Sequence, residues 1–160
     1  MEPSTNSALT IQEISPRPQS HRQAWEKQWE WCKPLVSSCL KYQEEWDILD
    51  VERGIATGKL MLWPHPLKDQ QSCIITELVE FPQYRAMNLL FLAGKMSDCE
   101  EILEAVTTFA RIAECKKIFG GGRKGWQRYA TRHGFKKEHI ISKTLWVKAQ
   151  QQHPQNLIHN

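Results

Sequence analysis

The chain has 160 residues, of which 41% are hydrophobic, 24% charged and 9% aromatic. This profile is typical of one globular domain, and it excludes a fibre, a disordered protein and a mini-protein that needs disulfides or a metal to fold. The formal net charge of +3 is too small to indicate a nucleic-acid-binding protein by itself.

The apolar residues and cysteines exclude two further classes. The longest apolar run, residues 89–93, is far shorter than the roughly 20 residues of a membrane-spanning helix, and residues 1–20 show no signal-peptide pattern. The five cysteines form no C-x-x-C pair. We therefore expect a soluble protein with reduced, largely buried thiols, made and kept inside a cell.

The first third of the predicted domain is helical. Apolar residues at helical spacing predict an amphipathic helix over residues 21–42, which Pro34 must kink or divide because proline lacks the helix hydrogen bond. A second helix is expected over residues 47–57, with Gly58 as its end.

The middle of the chain has the pattern of a sheet followed by a helix. Strands are predicted over residues 59–63, 73–81 and 86–92. Asp98 and Glu101 then have the spacing of a capping box, and the apolar stripe behind them predicts a helix down to about Cys115.

The last part alternates between strand and helix. A strand is expected over residues 116–120, a helix over residues 125–133 closed by Gly134, and a final strand over residues 139–148. This alternation predicts an α/β protein with helices on the faces of its sheet.

Both ends of the chain differ from the middle in composition. Residues 1–20 are rich in Ser, Thr and Pro, and residues 149–160 are a polar Gln/His/Asn tail. Neither segment is expected to fold alone, so the predicted organisation is an extended arm over 1–20, one domain over 21–148 and a tail over 149–160.

Charge is distributed unevenly along the chain. Residues 1–110 carry 10 basic against 16 acidic side chains, whereas residues 111–160 carry 11 against 2. The basic part could attract phosphate, including nucleic acid through residues 111–148, or it could balance the acidic part or an acidic neighbour.

Three features could carry chemistry. The glycine-rich run at 120–126 could hold an anion, but it lacks the order of a phosphate loop, so a tight turn from strand to helix is favoured. Glu77 and Glu80 lie on opposite faces of a predicted strand, so at most one can serve a given cleft as a base. The favoured interpretation of both is an exposed edge or an ion pair with the basic part.

Histidines, cysteines and tryptophans point to structure rather than to chemistry. No pair of histidines or cysteines has the spacing of metal ligands, so no metal site is predicted. His133 is expected to offset the dipole at the end of its helix. The seven tryptophans are explained by packing before base stacking.

Residues 47–148, about two thirds of the chain, resemble the GNAT-type N-acetyltransferases, most closely the GNAT-like proteins of bacteriophages and prophages. Short segments spread over this region carry the resemblance: Asp50-Val51, the run 58–63, Thr76-Glu77, Gly94, Phe109-Ala110-Arg111, the Gly-Arg-x-Gly-Trp run at 122–126, and Gly134-Phe135.

The resemblance implies a mixed, twisted and splayed sheet with flanking helices, with acetyl-CoA in the splay. The pyrophosphate would lie on the start of the helix at Asp98, which is a sound place for an anion. The implied cofactor-binding residues are Gly94, Lys95, Ser97 and Asp98, and Glu77 is the implied base.

Two positions depart from the family pattern. The turn before the helix, residues 93–97, has one glycine where the family has a glycine-rich pyrophosphate loop. The family's proton-donating tyrosine is replaced by Ala130, with Tyr129 one position away.

These departures favour a catalytically degenerate GNAT-like protein acting as a structural or accessory component of a phage particle or its assembly, with other phage proteins or further copies of itself as partners. Such a protein would reside in the cytoplasm of the infected bacterial host or in the virion. The alternative is an acetyl-CoA-dependent N-acetyltransferase acting on an amine. A nucleic-acid-binding factor that uses the basic part is a weaker alternative.

Overall fold

The computed structural model describes residues 22–65, 71–122 and 124–145. These residues form four helices and four strands. In chain order they are α1 (Arg22–Leu40), α2 (Ile48–Thr57), β1 (Leu60–Pro64), β2 (Ser72–Glu80), β3 (Arg85–Gly94), α3 (Met96–Ile112), β4 (Cys115–Gly120) and α4 (Lys124–Arg132). The predicted arm and tail at the two ends lie outside the described residues.

The four strands form one mixed sheet in the order β1-β2-β3-β4. The first three strands are antiparallel neighbours, and β4 pairs with β3 in parallel after the chain has crossed over through α3. The sequence alternation therefore correctly predicted an α/β sheet with helices on its faces.

Apolar side chains on both faces of the sheet are covered by helices. On one face, α1 contributes Trp29 and Cys32, and α2 contributes Val51, to a cluster that packs against Ile75 and its neighbours on the sheet. On the other face, α3 covers Trp63, Leu89 and their neighbours, with part of α4 at its rim. The predicted packing role of Trp29 and Trp63 is confirmed, because both side chains are buried.

The two N-terminal helices follow their sequence signals closely. Helix α1 is continuous through Pro34, so the alternative that proline divides it is wrong. Helix α2 begins at a capping box in which the Asp47 and Asp50 carboxylates each accept a backbone N–H of the other residue. Gly58 ends it with φ of 79°, as predicted for the left-handed position after a helix.

Helix α3 begins earlier than its sequence pattern predicts. The residue before its first turn is Lys95, whose side chain makes no capping hydrogen bond, so the capping box predicted at Asp98 and Glu101 is wrong. The turn after Gly94 sets the start of the helix instead. At the other end, Glu114 adopts φ of 59° and the chain enters β4 at once.

The final strand predicted over residues 139–148 is also wrong within the described part, because residues 139–145 form no strand. Residues 146–148 lie outside the described residues. Alternation of apolar and polar residues shows that a segment is able to form a strand, but a strand also needs a hydrogen-bonded neighbour. Ile140, Ile141 and Leu145 are 93%, 96% and 84% exposed, so this segment does not pack on its own sheet.

Candidate active site

The candidate site begins where β3 continues past the end of β4. The parallel pairing joins residues 85–89 of β3 to residues 115–120 of β4. β3 then runs on through residues 90–94, which have no strand partner on the β4 side among the described residues. Every second residue there presents its backbone N–H and C=O towards the gap beside residues 90–94, which we call the opening and where an extended ligand could pair with them. One of the carbonyls in this segment, that of Leu92, already accepts a hydrogen bond from the Cys39 thiol of α1 at 3.5 Å.

A β-bulge lies at the start of this opening. Thr76 of β2 is opposite Leu89, but Ile75 is opposite Phe91, so Leu90 is the extra residue in β3. The bulge exchanges the two faces of the strand: Leu89 packs with α3, whereas Phe91 packs with α1 and α2. Because Leu90 is the extra residue, the hydrogen-bond ladder between β2 and β3 is disrupted there, at the point where the pairing of β3 with β4 stops.

The turn from β3 to α3 is tightly built. Gly94 has φ of 98°, and a Cβ atom there would lie 2.0 Å from the carbonyl oxygen of Gln71, so only glycine fits. The Ser72 hydroxyl accepts a hydrogen bond from the Lys95 N–H at 3.1 Å and donates one to the Lys95 carbonyl at 3.2 Å. One glycine and one serine therefore fix the start of α3.

This turn leaves two backbone donors at the helix start. The N–H groups of Asp98 and Cys99 both donate to the Lys95 carbonyl. Within the described part of the chain, the N–H groups of Met96 and Ser97 have no acceptor, as expected for a helix start. Lys95, Met96 and Ser97 are exposed, so the positive end of this 17-residue helix is open to an anion.

This turn brings together the four predicted cofactor-binding residues, but each of them contributes a different group to the site. Gly94 shapes the backbone, the Lys95 side chain is exposed, and Ser97 offers an N–H. The N–H of Asp98 is already engaged.

Tyr129, one position before Ala130, has a buried side-chain oxygen. Its hydroxyl is buried and has no hydrogen-bond partner among the described residues. Burial, and then the nearby Glu100 carboxylate and Cys99 thiol, raise the pKa of Tyr129 to about 12. The hydroxyl therefore stays protonated at neutral pH. Tyr129 lies near the first turns of α3, because its ring packs against His133, whose imidazole is 3.8 Å from the Glu100 carboxylate.

The spacing along α4 contained the signal for Tyr129. Trp126, Tyr129 and His133 recur at three and four residues, which places them on one side of a helix. The rings confirm this arrangement, with centroids 5.5 Å apart for Trp126 and Tyr129 and 4.4 Å apart for Tyr129 and His133. The family spacing, counted back four residues from Gly134, points to Ala130 instead.

The two candidate carboxylates on β2 have different surroundings. Glu80 is exposed and is ion-paired with Arg85 across the hairpin. Of the two predicted alternatives, exposure is therefore confirmed, although on an interior strand, and the ion pair with the basic part is wrong. Glu77 is half-buried and lies opposite Asn88 on β3. Strand alternation puts Glu77 on the same face as Cys73 and Ile75, which is the face of α1 and α2.

Tyr129 packs at the rim of the cluster on the opposite face, so Glu77 and Tyr129 lie on opposite faces of the sheet.

The remaining sequence features are structural within the described residues. The run at 120–122 is a turn from β4 to α4, as predicted, and the Trp126 ring occupies the place of a Cβ on Gly122. One lysine of the basic part has partners within the domain, since the Lys117 ammonium lies 3.6 Å from the Glu138 carboxylate and over the Tyr84 ring.

The described residues contain no group of three or more histidine, cysteine or acidic side chains placed to hold a metal ion. None of their helices is long and apolar enough to cross a membrane.

Known structures share this fold. A probable acetyltransferase aligns over 84% of this chain and 97% of its own, with a TM-score of 0.60 and 8% identity. The chain has the fold of GNAT-type acetyltransferases. A predicted acetyltransferase with acetyl-CoA from Clostridium acetobutylicum has a TM-score of 0.58, 12% identity and coverage of 74% of this chain and 90% of its own.

A third structure is an aminoglycoside acetyltransferase from an uncultured soil sample, in complex with sisomicin. It has a TM-score of 0.58, 10% identity and coverage of 76% of this chain and 90% of its own. No protein-family model matches the chain, and no curated protein matches it. The predicted GNAT-like fold is thus confirmed, and these identities establish the fold alone.

Proposed function

We propose that this protein is an acetyl-CoA-dependent N-acetyltransferase. The observation that carries the proposal is the continuity of one opening: the bulge at Leu90, the side of β3 that has no strand partner among the described residues, and the helix start with its two available N–H donors follow one another along the chain. Acetyl-CoA would supply an acetyl thioester to this opening.

The residues present fit such a cofactor. The N–H groups of Met96 and Ser97, with the positive end of α3, would bind a pyrophosphate, and the Lys95 ammonium would offset its charge. The open side of residues 90–94 would hold an extended arm that contains amide groups. A single glycine suffices for this turn because the Ser72 hydroxyl holds Lys95 in place.

Two side chains would take part in proton transfer, one as an acceptor and one as a donor. The Glu77 carboxylate would accept a proton from the amine on the face of α1 and α2, directly or through water. As the amine nitrogen bonds to the acetyl carbon and the carbon–sulfur bond of the thioester breaks, the Tyr129 hydroxyl would donate its proton to the leaving thiolate from the opposite face, and its raised pKa keeps it in the donor form. This assignment supplies a candidate for the proton donor that the sequence pattern had placed at Ala130.

The predicted role as a silent structural or accessory component of a phage particle rests on the single-glycine turn and on Ala130. The geometry of the turn weakens the first of these grounds, and the position of the Tyr129 hydroxyl weakens the second. A phage origin, the host cytoplasm or virion as location, and nucleic acid as a partner of the basic residues stay predictions.

Calorimetric titration with acetyl-CoA tests the proposal. Met96→Pro removes one available N–H, and proline is tolerated here because Met96 is the first helical residue and Lys95 has an extended ψ of 130°. We expect wild-type binding, roughly tenfold weaker binding for Met96→Pro, and unchanged binding for Met96→Ala, which keeps the N–H.

A second pair of variants tests the charge at the helix start. Lys95→Glu should weaken binding, whereas Lys27→Glu should not, because Lys27 is exposed on α1 on the other face of the sheet. Absence of binding at millimolar acetyl-CoA would contradict the proposal and leave the structural role as the better hypothesis.

A further inference from the structure

One end of the sheet face that carries α1 and α2 is left uncovered by these helices. The cluster under them reaches Ile75 on β2 and Phe91 on β3, but it includes no residue of 77–88 and none of β4. The end of this face that is formed by the hairpin between β2 and β3 and by β4 is therefore open among the described residues.

Three aromatic rings meet on this open end. Strand alternation, continued through the hairpin, places Phe81 and Tyr84 there, and Phe119 lies opposite Asn88 on the same face. The Phe81 ring centroid is 5.2 Å from that of Tyr84 and 6.2 Å from that of Phe119. Phe81 is 41% exposed, and the other two side chains are half-buried. A single exposed ring is ordinary, but adjacent ones mark an interaction surface.

A β-bulge in β4 adds two lysines to these rings. β3 advances by one residue while β4 advances from Cys115 to Lys117, so Lys116 is the extra residue. Both ammonium groups lie over the Tyr84 ring, at 5.3 Å and 5.8 Å from its centroid. We call this group of side chains the aromatic-basic patch: Phe81, Tyr84, Lys116, Lys117 and Phe119.

The positive charge of the patch is accessible to a ligand. Lys116 is exposed, and the Lys117 side chain is 40% exposed. The Glu138 side chain, whose carboxylate is 3.6 Å from the Lys117 ammonium, is itself 72% exposed. Because surface ion pairs of this kind contribute little, a phosphate can replace the carboxylate. Lys136 and Lys137 directly precede Glu138 and are also exposed.

The acidic side chains of β2 lie away from the patch. Glu80 pairs with Arg85 on the opposite face of the hairpin. Glu77 is on the patch face, but it is four residues from Phe81, which is about 13 Å along an extended strand. The patch is therefore a positively charged aromatic surface, and an anionic partner with flat apolar faces would complement it.

Single-stranded nucleic acid has both of these properties in every nucleotide. Each nucleotide carries one negative phosphate and one base whose flat face can stack on an aromatic ring. A duplex conceals its base faces within its own stack, and an acidic peptide offers charge without such faces.

We propose that the aromatic-basic patch binds single-stranded nucleic acid, with bases stacked on Phe81 and Phe119 and phosphates bound by Lys116 and Lys117. This role is separate from acetyl transfer, and its test needs no acetyl-CoA. It would give a use to the excess of 11 basic over 2 acidic side chains in residues 111–160.

Fluorescence anisotropy of a labelled oligodeoxythymidine of about 12 nucleotides, titrated with the full chain, tests the stacking. The wild type should bind with an affinity that falls as salt is added. Phe81→Ala should weaken binding roughly tenfold, because it removes the ring under one base. Phe81→Leu should weaken it similarly, since leucine keeps the apolar volume of the hairpin but has no aromatic face.

Lys116→Gln tests the phosphate contact. It should weaken binding and reduce the slope of log affinity against log salt by about 0.7, because one fewer counterion is released. The matched control is a lysine over an aromatic ring elsewhere: the Lys41 ammonium lies 5.2 Å from the Tyr42 ring centroid, just after the end of α1. Lys41→Gln and Tyr42→Ala should leave binding unchanged.

Competing ligands distinguish the proposed partner from others. A duplex of the same length and a glutamate peptide of similar charge should both bind more weakly than the single strand. An oligouridine of equal length compares RNA with DNA, and tight binding of either supports the proposal. No binding at low salt, binding that is insensitive to both Phe81 variants, equal losses in the control variants, or equally tight binding of the glutamate peptide would each overturn it.

Discussion

A buried hydroxyl without a hydrogen-bond partner costs stability, and the described residues give Tyr129 none. We therefore expect Tyr129→Phe to be more stable than the wild type by about 1 kcal/mol, since removing an unpaired polar group from an apolar site is favourable. If the hydroxyl donates a proton, the same variant should lose turnover of acetyl-CoA while its affinity for the cofactor is unchanged.

Urea denaturation and initial-rate measurements check both parts. His133→Phe is the matched control, because it keeps an aromatic ring next to Tyr129 and leaves the hydroxyl in place. A Tyr129→Phe variant with full turnover would exclude the hydroxyl as proton donor, and a less stable one would show that the hydroxyl has a partner.

At the scale of elements, two helix starts differ in how they are capped. Asp47 receives a hydrogen bond from the Asp50 N–H at 2.8 Å, whereas the start of α3 has no capping side chain. We expect Asp47→Ala to lower the free energy of unfolding by about 1 kcal/mol and Asp98→Ala to lower it by less, through the helix dipole alone. Chemical denaturation of both variants checks this order, and equal losses would contradict it.

The same comparison shows why local sequence patterns predict which helices and strands form better than they predict the residue at which each one begins or ends. Helical spacing and glycine stops correctly placed α2 and α4, because caps and amphipathic faces act within a few residues. The start of α3 was misplaced because a tertiary contact, from Ser72 on β2 to Lys95, decides where it begins. The strand predicted from residue 139 failed for a similar reason, since pairing needs a neighbour.

At the scale of the whole molecule, the fold class was predictable and the site only in part. Alternating strands and helices indicated the sheet, and the resemblance indicated the turn at Gly94. The bulge at Leu90 was not predictable, because it appears only when β3 is aligned against β2. The place of Tyr129 next to the start of α3 likewise depends on how two helices pack.

The buried thiols make the stability of the whole molecule depend on pH in the alkaline range. Burial, and then the neighbouring Cys73, raise the pKa of Cys99 from 9.0 to about 12, and contact with Cys32 together with burial raises the pKa of Cys73. Above pH 9 the unfolded chain loses these protons while the folded chain keeps them. Stability is therefore complete below pH 9 and falls as the pH rises towards 12.

Unfolding free energies measured by urea between pH 7 and pH 11 should show this fall. Cys99→Ala should flatten the decline, because alanine has no proton to lose in the unfolded state, even though its stability at pH 7 is lower through the cavity it leaves. Gln127→Ala is the control: Gln127 is exposed and has no titratable group, so this variant should leave the slope unchanged. An equal slope for Cys99→Ala and wild type would show that the Cys99 thiol ionises alike in the folded and unfolded chains.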